Sequence, residues 1–235
     1  MSKTYSKEEI IKMLEETKSE IKKIYKKDFI NHTGETSDTN EYYTEIIAKW
    51  LLDNIELFND IKMISRENSY KVDSHDGKIK NEKSGREEEI IAMKLFDFSQ
   101  NQGKVFDIIG KIIDYQTPLK DIQTDKAGKI DLLAYNKNEK TLRILELKKP
   151  DSKETMLRCV LEAYTYLKIV DKAKLLKDFA LPEDTVIKAC PFVFVDGEQH
   201  KELKDNRENL ENLIKKLDIE IIYLKEEKGE YSIKK

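Results

Sequence analysis

Two short apolar runs, each with charged residues near one end, constrain this chain more than any other feature. The first is Ile130-Asp131-Leu132-Leu133-Ala134-Tyr135, and the second is Leu142-Arg143-Ile144-Leu145-Glu146-Leu147-Lys148. Between them Asn136-Lys137-Asn138-Glu139-Lys140 is a polar turn of hairpin length. Paired antiparallel about Asn138, the runs bring Asp131 opposite Glu146. Side-chain alternation then puts Glu146 and Lys148 on the Asp131 face. Two carboxyl groups and an ammonium among Ile and Leu are costly to bury unless something compensates them. A divalent cation held by both acids, with the lysine beside an attacking water, does so; that is the arrangement of a metal-dependent phosphodiester-cleaving site. The plainer alternative is an edge strand whose Asp and Glu–Lys pair face water.

A Glu-x-Lys triplet alone carries little information in a chain that is 38% charged. Four of its five copies, at Glu16, Glu20, Glu202 and Glu226, sit in highly charged helix-like or terminal stretches. Only the copy at Glu146 ends an apolar strand that has an Asp-bearing partner. Pro150 stops that strand, and Thr155 to Leu167 follows as a helix that Asp151 or Ser152 can cap. Leu157, Val160, Leu161, Tyr164 and Leu167 form its apolar face, while Arg158, Glu162 and Tyr166, spaced by four, form a polar-tipped stripe.

Gly128-Lys129-Ile130-Asp131, Ile144-Leu145-Glu146-Leu147-Lys148 and the helix with Glu162 and Tyr166 together resemble the PD-(D/E)xK nuclease superfamily, closest to its RecB-type members. The resemblance spans about Ser84 to Val195. It implies Asp131 and Glu146 as metal ligands, Lys148 as the group that orients or activates the water, and Glu162 and Tyr166 as supports. Glu162 stands where the RecB-type pattern usually has Gln, so it is open whether this acid binds metal or pairs with Arg158. The resemblance also implies one more acid on the helix before the sheet, here Ser84 to Phe96. Ser84 and Glu87 fit a capping box there. The core stripe through Ile91, Ala92 and Leu95 runs back to Glu88, making it the acid that points at the sheet and the third candidate ligand. The competing reading is an acid-rich first turn suited to the positive helix end.

Gathered acids without a Cys/His set favour Mg²⁺ or Mn²⁺ over zinc. Cys159 and Cys190 lie in apolar surroundings, and His32, His75 and His200 are scattered along the chain, suggesting no histidine-based pair. The net charge of −3 argues against a protein that coats nucleic acid, but from Lys140 to Lys177 ten Lys/Arg face five Asp/Glu. Lys149, Lys153, Arg158 and Lys168 are the candidate phosphate contacts, with DNA the favoured substrate over RNA. The rival function is a catalytically inactive nuclease-fold module for nucleic-acid binding or protein assembly; a purely structural α/β protein is the third. Lys148 beside both acids favours the enzyme, and Lys148 in solvent favours the rivals.

The expected fold is α/β: a restriction-endonuclease-like core over residues 84–235, with a central mixed β-sheet flanked by helices, and an N-terminal helical extension over residues 1–62. Ser6 and Glu9 start a helix through Ile10, Leu14, Thr17, Ile21 and Ile24 to about Lys27, and a second runs through Tyr43, Ile46, Ile47, Trp50, Leu51, Ile55 and Phe58. These helices cover one side of the core, or serve a homodimer or a substrate clamp. Ser65 to Ser84 reads as a loop, a candidate mobile element near the site. Ile112 to Asp121 supplies the first strand, Ala189 to Val195 a buried strand, Leu203 to Leu217 a helix, and Ile219 to Leu224 the final strand. No apolar run approaches membrane-spanning length and no signal-peptide core is present, so a cytoplasmic protein that avoids membranes is expected. No phosphate-binding Gly-rich motif is present.

Overall fold

The computed structural model describes residues 4–79, 86–121 and 128–235. Ser6 accepts from the Glu9 amide, and Glu9 returns a bond to the Ser6 amide at 2.7 Å, so the expected capping box starts α1 (Lys7–Thr17). All five residues of the predicted stripe are buried. The path is not one helix, however: it tightens to 3₁₀ geometry over Lys18–Lys26, with Glu20 outside helical backbone angles. α2 (Tyr43–Asp53) likewise ends in a 3₁₀ segment, Ile55–Asp60. Then come α3 (Glu87–Gln100), β1 (Lys111–Pro118), β2 (Lys129–Asn136), β3 (Thr141–Leu147), α4 (Met156–Ile169), α5 (Lys172–Asp178) and β4 (Val186–Phe194). α6 (Glu198–Lys204), α7 (Glu208–Lys216), β5 (Ile222–Glu227) and β6 (Glu230–Lys234) complete the chain.

The six strands form one mixed sheet in sequence order. β3 pairs parallel with β4 and β4 with β5, whereas the other neighbours are antiparallel. Alternation along β3 divides the core: Leu142 and Ile144 pack with the N-terminal helices, α4 and α7, while Leu145 and Leu147 pack on the other face with α3. Glu146 and Lys148 follow Ile144 onto the α4 face. Among the described residues no helix is long and apolar enough to cross a membrane.

Three expectations are corrected. The stretch Leu203–Leu217 is two helices, because Arg207 leaves helical backbone angles to lay its buried guanidinium over the Tyr42 ring. α7 then restarts on Glu45, whose carboxylate accepts from the Asn209 and Leu210 amides at 2.9 Å each. The strand expected over Ile219–Leu224 begins at Ile222 and is followed by a further strand, β6. Lys228 and Gly229 both have positive φ (52° and 83°), the backbone of a two-residue hairpin turn.

The expected mobile loop has neither helix nor strand over residues 65–79, but it is anchored. Tyr70 is fully buried, its amide donates to Asp178 at 2.8 Å, and its hydroxyl accepts from the Asp171 amide at 3.0 Å. Arg66 is buried against Ser69 O and Asp121. Residues 80–84 of that loop lie outside the described residues.

Candidate active site

The hairpin has the expected register: Leu132 pairs with Leu145 and Asn136 with Thr141, and one step further places Asp131 opposite Glu146. Both Asp131 oxygens accept hydrogen bonds, Oδ2 from the Leu147 amide at 2.9 Å and Oδ1 from Gln116 Nε2 at 3.0 Å. Glu146 and Lys148 are buried, and Lys148 Nζ lies 2.9 Å from Glu146 Oε1. The ammonium also lies 2.9 Å from Glu154 Oε2 and 3.4 Å from Glu162 Oε2. Lys148 therefore points away from solvent, into a cage of three carboxylates. Glu146 Oε2 is buried and has no hydrogen-bond partner among the described residues.

α4 forms the wall opposite the hairpin. Glu162 Oε1 accepts from the Tyr166 hydroxyl at 2.9 Å, so one carboxylate links Tyr166 to Lys148. The Tyr166 hydroxyl in turn rests against Gly128, where a Cβ would lie 1.9 Å from its oxygen. Behind Tyr166, the Tyr25 ring packs edge-on at 6.1 Å between centroids. Glycine at 128 thus lets the start of β2 approach α4 closely.

Burial sets the electrostatics. It pushes the Asp131 carboxyl up to about 7, with Lys148 opposing and Glu88 adding to the rise. Glu146 is driven well above the usual carboxylate range by burial and then by Asp131. For Lys148, burial favours the neutral amine, but Glu146 and the other nearby acids outweigh it and hold the ammonium well above its ordinary pKa. Burial, with Glu146 and Glu162 nearby, raises the Tyr166 phenol as well.

The other expected residues are placed as follows. Glu88 faces the end of β3, its Oε1 accepting from the Lys149 amide at 3.1 Å. Glu87 is the first residue of α3 and pairs with Lys149 Nζ at 3.0 Å; Ser84, the other half of the expected capping box, lies outside the described residues. Arg158 Nε lies 3.0 Å from Glu154 Oε1, not against Glu162 as one reading had it. α4 is capped by Thr155, whose Oγ1 accepts from the Arg158 amide, instead of by Asp151 or Ser152. That hydroxyl also donates to Ile30 O at 2.9 Å, which fixes the helix start against the N-terminal segment. Of the candidate phosphate contacts, Lys149 and Arg158 are engaged in ion pairs.

Sequence reasoning missed three groups. Glu154 carries the spacing of four to Arg158 that could have revealed it. Gln116, held at positive φ (49°) on the edge strand, had no local signal. His75, expected to stand alone, has Nδ1 2.6 Å from Asp114 Oδ1. Cys159 and Cys190 are free and buried, as their surroundings suggested.

Among the described residues no three His, Cys, Asp or Glu side chains are gathered into a metal-binding group. The donors nevertheless suit a hard cation: an unpartnered buried carboxylate oxygen at Glu146, a second acid opposite it, and Glu88 at the strand end. No family model, curated protein or solved structure matches the chain.

Proposed function

We propose that this chain is a Mg²⁺- or Mn²⁺-dependent nuclease built on a restriction-endonuclease-like core, with DNA as its substrate. The observation that carries the proposal is Glu146 Oε2, buried and without a hydrogen-bond partner among the described residues, on a strand face shared with Asp131 and the inward-pointing Lys148. A merely structural ion pair gains nothing from an unsatisfied carboxylate oxygen, which costs about 1–3 kcal/mol. From α3 to β4 the elements run helix, three strands, two helices, strand; apart from the short α5, this is the order that the resemblance implies.

Asp131, Glu146 and Glu88 would hold the ion. When bound, it would draw charge from the phosphate oxygens and ease ionisation of the attacking water. Lys148, kept charged by its three acids, acts as a hydrogen-bond donor to developing negative charge and not as a base. Gln116 and the Leu147 amide fix the Asp131 carboxylate, and Glu162 with Tyr166 fixes Lys148 from the helix side.

Two features favour the inactive-module reading: Lys148 is already paired with three carboxylates, and among the described residues no group of side chains is arranged to hold a metal. Digestion of single- and double-stranded DNA and RNA with Mg²⁺ or Mn²⁺ separates the two. Metal-dependent cleavage that Asp131→Asn and Glu146→Gln each abolish is the expected result. Binding of DNA without cleavage under every metal condition would leave the module.

A further inference from the structure

His75 extends the candidate site in a direction that the chain's linear order does not suggest. Its Nδ1 meets Asp114 Oδ1 at 2.6 Å, and Asp114 Oδ2 accepts from the Thr117 hydroxyl at 2.8 Å, so a buried carboxylate holds the imidazole. The ring also stacks on Tyr115, with centroids 4.3 Å apart. With Nδ1 engaged, Nε2 is the nitrogen left for a ligand. A histidine oriented so firmly lines an open cleft of about 360 Å³, a size within the usual range of ligand sites.

The remaining lining of that cleft is polar and cationic. Lys78, Arg86 and Lys129 border it, against Asp76 and Glu89. Arg86 is paired with Glu89 at 3.3 Å, whereas neither Lys78 nor Lys129 has a carboxylate partner among the described residues. Gln116 links the cleft to the candidate active site. It lines the cleft and donates to Asp131 Oδ1, and Lys129 precedes Asp131 by two residues on the same strand.

We infer that this cleft binds a backbone phosphate of the nucleic-acid strand, beside the phosphate at Asp131 and Glu146, with His75, Lys78 and Lys129 as its contacts. It rests on the nuclease reading for its place in the reaction, but the binding itself is testable without cleavage. A phosphodiester suits the cleft because it is an anion with several acceptor oxygens. Two ammonium groups with no carboxylate partner among the described residues supply the complementary donors, and His75, in its imidazolium form, adds Nε2–H to them. DNA and RNA share this chemistry, and the test distinguishes them.

A labelled DNA oligonucleotide is titrated with the full chain in Ca²⁺ by fluorescence anisotropy, and an RNA of the same sequence forms the second arm. Lys78→Ala with Lys129→Ala changes exposed side chains, so folding is not at stake. The double variant should weaken binding about tenfold and lower the salt slope by about two. His75→Ala should weaken it about fivefold, while Lys12→Ala with Lys216→Ala, exposed on α1 and α7, serves as the charge-matched control for the double variant. In Mg²⁺ the same losses should appear in KM. If the wild type cleaves but Kd, salt slope and KM are unmoved in the cleft variants, the cleft assignment falls and the nuclease reading stands. If cleft-dependent binding occurs without cleavage, the reverse holds. Absence of any binding overturns the cleft assignment outright. Equal losses in the DNA and RNA arms identify the shared phosphate as the ligand; losses confined to one arm identify that nucleic acid as the source.

Discussion

Replacing Asp131 with Asn should stabilise the metal-free protein at alkaline pH. Burial raises the Asp131 carboxyl to about 7 from an ordinary 3.8, so between these values the folded state holds a proton that the unfolded chain has released. Stability contributed by that proton is present at low pH and is lost as pH rises through about 7. The span, at ~1.4 kcal/mol per pH unit, amounts to about 4 kcal/mol. Because Asp131 keeps some contact with solvent, an observed effect of about 2–3 kcal/mol is the reasonable expectation. Asn removes the titration and fits the site: its carbonyl accepts from the Leu147 amide, and its NH₂ meets Gln116 once that side-chain amide is turned. It also relieves Glu146, which Asp131 pushes upward. Urea denaturation at pH 5 to 9 with chelator is the assay. Wild type should lose stability relative to Asp131→Asn as pH rises through 7, and saturating Mg²⁺ should restore it only in the wild type, by about 2.7 kcal/mol at a hundredfold excess over Kd. Parallel pH profiles for the two proteins would refute the claim that Asp131 titrates in a buried site.

Lys148→Met leaves Glu146, Glu154 and Glu162 facing one another, and should destabilise the metal-free fold by about 3–5 kcal/mol at pH 8, less at pH 5, by urea titration. Its cleavage rate should fall by about 10²–10³ in a digestion assay with Mg²⁺ in excess. Glu162→Gln keeps one carbonyl oxygen for two donors, Tyr166 and Lys148, so a loss of about 1 kcal/mol with activity largely kept is expected. Calorimetry showing collapsed Mg²⁺ affinity in that variant would instead make Glu162 a ligand. Gly128→Ala drives a methyl into the Tyr166 hydroxyl and should cost about 1–3 kcal/mol in thermal unfolding, with cleavage reduced as β2 moves from α4.

The strand pair was legible because both of its signals are local: a polar turn of fixed length and side chains that alternate with period two. Glu88 was legible for the same reason, by extension of a helical stripe. Glu154, Gln116 and His75 reach their partners through tertiary folding, and nothing near them in the chain announces Lys148, Asp131 or Asp114. Helix breaks were hidden in the same way. Arg207 interrupts an otherwise amphipathic run because Tyr42 and Glu45, distant in sequence, offer it and α7 better partners. β6 was different: Lys228-Gly229 carried a turn signal, but the strand beyond it has only Tyr231 and Ile233 as apolar markers.

The Thr155 hydroxyl that closes on Ile30 O spans 125 residues of chain, whereas the hairpin holding Asp131 and Glu146 closes across a handful. Loop closure makes the first contact slow and the second fast. During folding, the acidic strands therefore pair early, and the helix bearing Glu162 and Tyr166 is locked only when the N-terminal segment docks beneath it. The N-terminal segment, which bears no catalytic cluster, thus serves the site by holding the start of the helix that carries Glu162 and Tyr166.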